Sequence, residues 1–191
     1  MRNHVRKSLF VPVVALLVLS SAMTALAAPN GGIRVQPGIY DPDGTGIVVA
    51  DWRQGGGSGY GVSLFLAKNG ATETNAAAGA EIPGVDGITL TELGFDYRND
   101  GYCGAGAPRF NVFTDDGALN HFFGCSYGVH TNLGNGWTRV RYTAADGLPP
   151  VSSSVSSIEI VLDEEGAVYI DNIDVNGAIA GNPGFAPFPN N

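Results

Sequence analysis

Residues 93–125 decide the fold and read LGFDYRNDGYCGAGAPRFNVFTDDGALNHFFGC. In the first six residues of this stretch Leu93, Phe95 and Tyr97 alternate with Gly94, Asp96 and Arg98, which is the period of a β-strand with one buried face. A glycine-rich loop at 99–106 follows, and two more strand patterns at 109–114 and 121–125 flank an Asp-Asp-Gly turn. The stretch therefore predicts antiparallel strands joined by tight turns.

Strand patterns recur through the rest of the chain. They lie at 33–36, 47–51, 60–66, 88–98, 137–142, 158–162 and 167–175. No amphipathic helix pattern is present, and the alanine-rich residues 75–80 predict a loop or a single helical turn. Eight or nine strands with glycine-rich turns predict an all-β protein, a two-sheet antiparallel β-sandwich of jelly-roll type. A closed barrel is less favoured because several strands alternate as strands with one solvated face do.

Residues 1–27 predict a cleaved signal peptide. Three basic residues precede the apolar run 9–19, and residues 25–27 have the small-x-small pattern that precedes a cleavage site. The alternative is a transmembrane anchor, which needs roughly 20 uninterrupted apolar residues. This run is shorter and contains Pro12. The sequence thus predicts a secreted, extracellular protein that is not inserted in a membrane after cleavage.

The mature chain is strongly acidic. The whole sequence has 10 basic and 18 acidic residues, and three of the basic residues but none of the acids lie in the signal segment. The mature net charge is therefore −11. Such a charge repels phosphate groups, which excludes nucleic acid and anionic membrane surfaces as partners. We expect a single domain at 28–177, a flexible C-terminal tail at 178–191, and a monomer.

Cys103 and Cys125 are the two cysteines of the chain. Export places them in an oxidising compartment, so the sequence predicts a disulfide bond between them. Bridging a loop of about 23 residues stabilises a fold by roughly 3 kcal/mol in the chain-entropy model. Two buried free thiols and a zinc site are the alternatives. Zinc is disfavoured because neither histidine of the mature chain lies in a ligand spacing.

Residues 124–128 match G-x-S-x-G, the motif that presents a serine nucleophile, here Ser126. That motif needs a helix directly after the serine and a histidine late in the chain. The following residues have no helical pattern, and no histidine occurs after His130. A serine hydrolase is therefore disfavoured, and neither His121 nor His130 is assigned a role.

Paired acids at 115–116 and 164–165 raise the question of glycoside hydrolysis. That chemistry needs two carboxyl groups roughly 5 to 10 Å apart across a cleft. Both pairs lie beside a glycine in a predicted turn, so we interpret them as solvated turn acids. The sequence favours a protein without catalytic activity.

The turn at 41–46 reads DPDGTG and places Asp41 and Asp43 at alternate positions. Carboxylate oxygens in this arrangement suit Ca²⁺, although the glutamate that closes an EF-hand loop is missing. Acids of the last strand supply further ligands if the two ends of the chain are adjacent. The alternative, turns closed by their own aspartates without a metal, stays open.

Residues 168–175, VYIDNIDV, resemble the closing strand of jelly-roll carbohydrate-binding modules, which follows an aromatic-I-D-[ND]-I-x-[VF] pattern. The resemblance implies a secreted sandwich that binds a polysaccharide or glycan without cleaving it. It also implies a structural calcium ion near this strand. Asp171 is then the first ligand, together with Asp41 and Asp43.

The resemblance further implies a binding site of exposed aromatic rings with polar side chains beside them. The candidates are Trp137, Tyr102, Tyr127, Arg139, Arg141, Asn99 and Asp100. Trp137 shares a strand face with Arg139 and Arg141, and burying two arginines is costly, so this face is expected to point outward. Tyr97 alternates with apolar neighbours and is expected in the core.

Three classes of function follow from these observations. A secreted, non-catalytic carbohydrate-binding domain is favoured. A structural or adhesive domain of the cell surface is the alternative. A glycoside-active enzyme or a serine hydrolase is the least favoured, because no pattern in the sequence brings its catalytic groups together.

Overall fold

The computed structural model of the protein describes residues 33–54, 56–58, 61–116, 121–149 and 153–180. The strands in these residues are β1 Gln36–Tyr40, β2 Val48–Gln54, β3 Val62–Lys68, β4 Ala77–Glu81, β5 Glu92–Arg98, β6 Arg109–Thr114, β7 His121–Gly124, β8 Val129–Gly134, β9 Trp137–Thr143, β10 Val155–Leu162, β11 Gly166–Val175 and β12 Ala178–Ala180. Two short 3-10 turns lie at Cys125–Tyr127 and Ala144–Asp146. The predicted signal peptide 1–27 and residues 181–191 of the predicted tail lie outside the described residues. Among those described, no helix is long and apolar enough to cross a membrane.

The strands form two antiparallel sheets. The five-stranded sheet has the order β1-β4-β10-β6-β7. The seven-stranded sheet has the order β2-β3-β11-β5-β9-β8, and β12 pairs with β11. The buried side chains lie between the two sheets, and the opposite face of each sheet points outward.

The predicted all-β, two-sheet sandwich is confirmed. The described chain contains twelve strands, whereas the sequence predicted eight or nine. The additional strands are β4, which was expected to be a loop or a helical turn, β8, which was expected to be turns, and β12, which begins the expected tail. The β4 sequence has a low intrinsic β propensity, but it lies between β1 and β10 and buries Ala78 and Ala80 in the core. Packing therefore overrides local propensity there. The jelly-roll path of the connections stays a prediction.

The hydrophobic core lies between the sheets. Phe95 of β5, Phe110 of β6 and Tyr142 of β9 are its largest rings, and all three are at most 1% exposed. The ring centroids of Phe95 and Phe110 are 5.5 Å apart, and those of Phe110 and Tyr142 are 6.0 Å apart. The Tyr142 hydroxyl donates a hydrogen bond to the carbonyl oxygen of Gly124, 3.0 Å away, so its polar atom is satisfied.

The predicted disulfide bond between Cys103 and Cys125 is formed. Cys103 follows β5 of the seven-stranded sheet, and Cys125 directly follows β7 of the five-stranded sheet. The bond therefore links the two layers. Gly124 is required beside it, because a Cβ atom at that position would lie 1.7 Å from the carbonyl oxygen of Ala105.

Candidate functional site

The outer face of the seven-stranded sheet carries a row of large side chains. Phe65 of β3 lies opposite Tyr169 of β11, and Arg98 of β5 lies opposite Trp137 of β9. The pairing of Ile170 with Tyr97 brings Tyr169 beside Arg98 in the same row. Because neighbouring strands are about 4.8 Å apart, the row crosses roughly 14 Å of the sheet.

Two arginines stack on the two central rings of this row. The centroids of Phe65 and Tyr169 are 4.7 Å apart. The Cζ atom of Arg53 lies 3.5 Å from the Phe65 centroid, and that of Arg98 lies 3.9 Å from the Tyr169 centroid. Each such cation–π contact contributes about 0.5–2 kcal/mol. We call Arg53, Phe65, Tyr169 and Arg98 the aromatic strip.

Aspartates hold the two guanidinium groups in place. Arg53 Nε donates to Asp51 over 2.9 Å, and Arg98 Nε donates to Asp100 over 2.6 Å. The Arg98 hydrogen bond lowers the pKa of Asp100 below its usual value. These pairs are solvent-exposed and contribute little to stability. Their effect is to fix the orientation of the strip.

A network of hydrogen bonds lies next to the aromatic strip. Asp96 is 2% exposed and accepts hydrogen bonds from Arg139 Nε and, over 2.7 Å, from Asn172 Nδ2. Asn172 Nδ2 also donates to Ser58 Oγ over 2.7 Å. The backbone N–H and the hydroxyl of Ser58 both donate to Asp171, over 2.8 and 3.0 Å. We call Ser58, Asp96, Arg139, Asp171 and Asn172 the polar cluster.

Asp174 is a second buried carboxylate that pairs with Arg139. It is 5% exposed and lies 3.5 Å from Arg139 Nη1. Burial raises the pKa of Asp174, although a hydrogen bond from the backbone N–H of Gly177 and the charge of Arg139 oppose this effect. One guanidinium group therefore compensates both Asp96 and Asp174.

A glycine loop covers one end of the strip. Ser63 is fully buried, and its Oγ atom is the single buried side-chain oxygen or nitrogen without a hydrogen-bond partner among the described residues. A Cβ atom on Gly56 would lie 2.6 Å from that Oγ and 3.0 Å from the Tyr169 ring. Only glycine at position 56 lets the backbone approach the sheet this closely.

Trp137 does not have the exposure that the sequence predicted. It lies on the outer face together with Arg139, but its side chain is only 5% exposed. The expectation rested on the cost of burying the neighbouring arginines. Asp96 pairs with Arg139 and Glu92 pairs with Arg141, which removes much of that cost. Trp137 therefore offers no free ring face for stacking.

Tyr102 is half-buried and packs against the core. Its hydroxyl donates a hydrogen bond to Glu164, and this bond raises the pKa of Tyr102. Cβ atoms on Gly104 or Gly166 would collide with the tyrosine, at 2.6 Å from the hydroxyl and 2.8 Å from the ring. The ring is enclosed by these two glycines and is not an open stacking surface.

The other predicted binding residues are dispersed. Tyr127 is 72% exposed and precedes β8 near the end of β9 that carries Arg141. Trp137 begins β9 at the opposite end, roughly 20 Å away at about 3.3 Å per residue. Asn99 accepts a hydrogen bond from Thr138 Oγ1 over 2.8 Å at the edge of the strip. The predicted set thus divides between the strip, the polar cluster and a remote edge.

Sequence reasoning missed Phe65 and Tyr169, the two rings at the centre of the strip. Phe65 alternates with Ser63 on the polar side of its strand pattern, and Tyr169 alternates with Asp171 on the polar side of the last strand. An aromatic residue on the polar side of an alternating strand is the signal that could have found them.

The residues of the predicted calcium site are engaged elsewhere. Asp41 accepts hydrogen bonds from the backbone N–H groups of Thr45 and Gly46, over 3.0 and 2.7 Å, and the Gly46 bond most strongly lowers the pKa of Asp41. Asp43 accepts one from Thr74, and Asp171 belongs to the polar cluster. No three acids, histidines or cysteines of the described residues are grouped to hold a metal ion. Calcium binding stays a prediction.

His130 is not arranged as a base for Ser126. One of its ring nitrogens lies 2.8 Å from the carbonyl oxygen of Cys125, and the other lies 3.2 Å from the hydroxyl of Tyr97. Ser126 lies in a 3-10 turn of three residues. The helix that the serine motif requires is thus not formed there.

No protein-family model matches this chain, and no curated protein matches it. Solved structures that resemble it include a β-1,2-glucanase from Parabacteroides distasonis, with a TM-score of 0.46 and 15% identity, covering 74% of this chain and 22% of the glucanase. A family 11 carbohydrate-binding module from Clostridium thermocellum, in complex with a β-1,3-1,4-mixed-linked tetrasaccharide, has a TM-score of 0.44 and 14% identity over 81% of this chain and 95% of the module. The family 11 module of a cellulosomal cellulase from Clostridium thermocellum has a TM-score of 0.46 and 14% identity, over 80% and 93%. Similarity at this level does not identify a ligand or a binding residue.

Proposed function

We propose that this chain is a secreted, non-catalytic domain that binds a neutral polysaccharide across the outer face of the seven-stranded sheet. The observation that carries the proposal is the aromatic strip. It is a row of two rings on neighbouring strands, tilted by 49° to each other, with the guanidinium plane of Arg53 over one ring and that of Arg98 over the other. Sugar rings have apolar faces that stack on such planar groups.

The polar cluster supplies the complementary chemistry. A sugar stacked by its face directs hydroxyl groups sideways, and these need hydrogen-bond partners. Asp171 and Asn172 are partly exposed and lie one row from Tyr169 on the same face. Their hydrogen bonds to Ser58 and Asp96 fix their positions before a ligand arrives. Groups that are already ordered lose little entropy on binding.

The charges of this face favour a neutral ligand over an acidic one. Its four arginines each have an acidic partner: Arg53 with Asp51, Arg98 with Asp100, Arg139 with Asp96 and Asp174, and Arg141 with Glu92. No cation on the described face is left over for a uronate or sulfate group. The net charge of −11 for the mature chain opposes an anionic polymer further.

Retention of the protein on a panel of insoluble neutral polysaccharides, in pull-down and affinity electrophoresis, tests the proposal. We expect the wild type to be retained on at least one of them and Tyr169→Ala to weaken binding at least tenfold, a loss of about 1.4 kcal/mol. Tyr127→Ala is the matched control, since Tyr127 is 72% exposed and lies away from the strip. Unchanged retention of a folded Tyr169→Ala variant, or no retention of the wild type, would refute the proposal.

The structural or adhesive alternative has one observation in its favour. Phe122 of β7, Tyr127, and Val129 and Leu133 of β8 are all 46–72% exposed. Both strands are edge strands, whose free backbone groups can pair with another chain. If Val129→Ser and Leu133→Ser abolish attachment of the protein to cells while polysaccharide retention is absent throughout, this alternative is preferred.

A further inference from the structure

The outer face of the five-stranded sheet contains a groove of about 730 Å³. Its floor is formed by Gly38 of β1, Gly79 of β4 and Val161 of β10, which lie opposite one another in the sheet. A Cβ atom on Gly38 would meet no atom within 4 Å, so the space above the floor is open. The missing side chain of Gly38 leaves this space open, whereas Gly79 lets β4 and β10 approach closely, because a Cβ atom there would lie 2.6 Å from the carbonyl oxygen of Ile160.

The sides of the groove differ in chemistry. Tyr40 of β1 lines one end and is 61% exposed, so its ring is free to stack. Glu81 of β4 and Glu159 of β10 lie side by side along another wall, directly opposite each other across the two strands. Side chains in this relation have Cβ atoms about 5 Å apart.

The two glutamates carry uncompensated charge. Neither has an ion-pair partner among the described residues. Arg109 also lines the groove, but it is bound to Asp163 by two hydrogen bonds of 2.6 and 2.9 Å and to the carbonyl oxygen of Gly106. Its charge is neutralised by Asp163. Two negative charges are therefore left facing the groove.

We propose that this groove is a second binding site, for an oligosaccharide that carries primary amino groups. A sugar ring stacks on Tyr40, and an ammonium group donates charge-assisted hydrogen bonds to Glu81 and Glu159. A neutral sugar would leave both charges unpaired, and an acidic sugar would be repelled. The carbohydrate class rests on the proposed function, whereas the requirement for a cation rests on the groove itself.

Calorimetric titration with a β-1,4-linked glucosamine hexamer, at a pH where its amines are protonated, tests the proposal. The fully N-acetylated hexamer and cellohexaose are the neutral probes. We expect the glucosamine hexamer to bind at least tenfold more tightly than either neutral probe, with an affinity that falls as salt is added. Equal binding of the three hexamers would overturn the proposal, and so would the absence of binding by the glucosamine hexamer.

Variants locate the site. Gly38→Leu places an apolar side chain in the groove, at a position where a Cβ atom meets nothing within 4 Å, and should abolish binding of the glucosamine hexamer. Glu81→Gln with Glu159→Gln should weaken it at least tenfold. Glu165→Gln removes one charge from an exposed turn and should change nothing. If the hexamer still binds to Gly38→Leu, the groove is not its site.

Two further comparisons separate this proposal from the first. Tyr169→Ala should leave binding of the glucosamine hexamer intact, and Gly38→Leu should leave retention on neutral polysaccharides intact. If the glucosamine hexamer does not bind in the groove, the proposal for neutral polysaccharides is unaffected. If neutral polysaccharides do not bind to the seven-stranded sheet, the requirement of the groove for a cation is unaffected. A hexamer of lysine that binds as tightly as the amino sugar would contradict the carbohydrate assignment, because it would show that any cationic chain fits.

Discussion

The two outer faces of this sandwich treat charge in opposite ways. On the seven-stranded sheet each of the four arginines has an acidic partner, and the buried carboxylates of Asp96 and Asp174 are both compensated by Arg139. On the five-stranded sheet Arg109 is paired with Asp163, whereas Glu81 and Glu159 lie opposite each other beside Gly38 with no ion-pair partner in the described part of the chain. A buried charge must be compensated within the protein, whereas an exposed charge is hydrated by water until a ligand binds. The side chains of the first face are therefore fixed by contacts within the protein, whereas the second face keeps a negative charge that a cationic ligand can neutralise.

Removal of Arg139 is the strongest test of the compensated face. Arg139→Ala removes the ion-pair partner of the buried Asp96 and Asp174, and breaking a buried ion pair in this way costs about 3–5 kcal/mol. We expect the free energy of unfolding, measured in urea, to fall by that amount. Arg141→Ala is the matched control on the same strand, since its side chain is 48% exposed and exposed pairs contribute at most about 1 kcal/mol.

Equal losses in the two arginine variants would contradict the distinction between a buried network and a solvated pair. In that case burial at Asp96 would not be what makes its compensation necessary. The distinction would be strengthened if Asp96→Asn, added to Arg139→Ala, restored the free energy of unfolding, because the second change removes the charge left unpaired.

The disulfide bond joins the layers that carry the two faces. Replacing Cys103 and Cys125 together by alanine should lower the free energy of unfolding by about 3 kcal/mol, because the unfolded chain regains the freedom of the closed loop. Thermal unfolding of the double variant against the oxidised wild type measures this. The wild type with reductant should approach the variant. Since each sheet keeps its own hydrogen bonds, we expect ligand binding below the melting temperature to be unchanged. Loss of binding at one face alone would contradict the view that the disulfide bond stabilises both sheets together.

The strand patterns that recur along the chain, together with glycine-rich turns, were enough to predict the sandwich, because alternation with a period of two residues is typical of a strand with one buried face. The pairing of Cys103 with Cys125 followed from the cysteine count and the predicted compartment. The candidate site could be predicted from the sequence only in part. The burial of Trp137 depends on Asp96 lying opposite Arg139, and such cross-strand pairing is set by register that a single sequence does not contain. The groove above Gly38 was likewise hidden, since it needs Gly79 from a distant strand.

The pH dependence of stability should differ in sign between Asp174 of β11 and Asp163, which directly follows β10. Burial raises the pKa of Asp174, so its contribution to stability is present below its unfolded pKa and is lost as pH rises through its folded pKa. Burial also acts to raise the pKa of Asp163, but the hydrogen bonds and charge of Arg109 outweigh it and lower that pKa. The contribution of Asp163 is therefore present above its unfolded pKa and is lost as pH falls through its folded pKa.

Urea unfolding between about pH 3 and pH 7 measures both effects. As pH falls, the wild type should gain stability relative to Asp174→Asn and lose stability relative to Asp163→Asn. Differences that run in the same direction for the two variants would show that Asp174 is not dominated by burial. The compensation of the seven-stranded face by Arg139 would then be more complete than its geometry indicates.

The smallest expected effect is the most specific to the groove. Like charges directly opposite each other on neighbouring strands destabilise a sheet, so Glu81→Gln should raise the free energy of unfolding by about 0.2–1 kcal/mol at low salt. Once that repulsion is removed, adding Glu159→Gln should raise the free energy of unfolding by less than Glu159→Gln does in the wild type. Glu165→Gln removes an acid from an exposed turn and controls for the change in net charge. If Glu81→Gln lowers stability instead, the carboxylate already has a favourable partner in the free protein. The groove would then hold less uncompensated charge for an amino sugar to neutralise, and the contrast between the two faces would be smaller than the structure indicates.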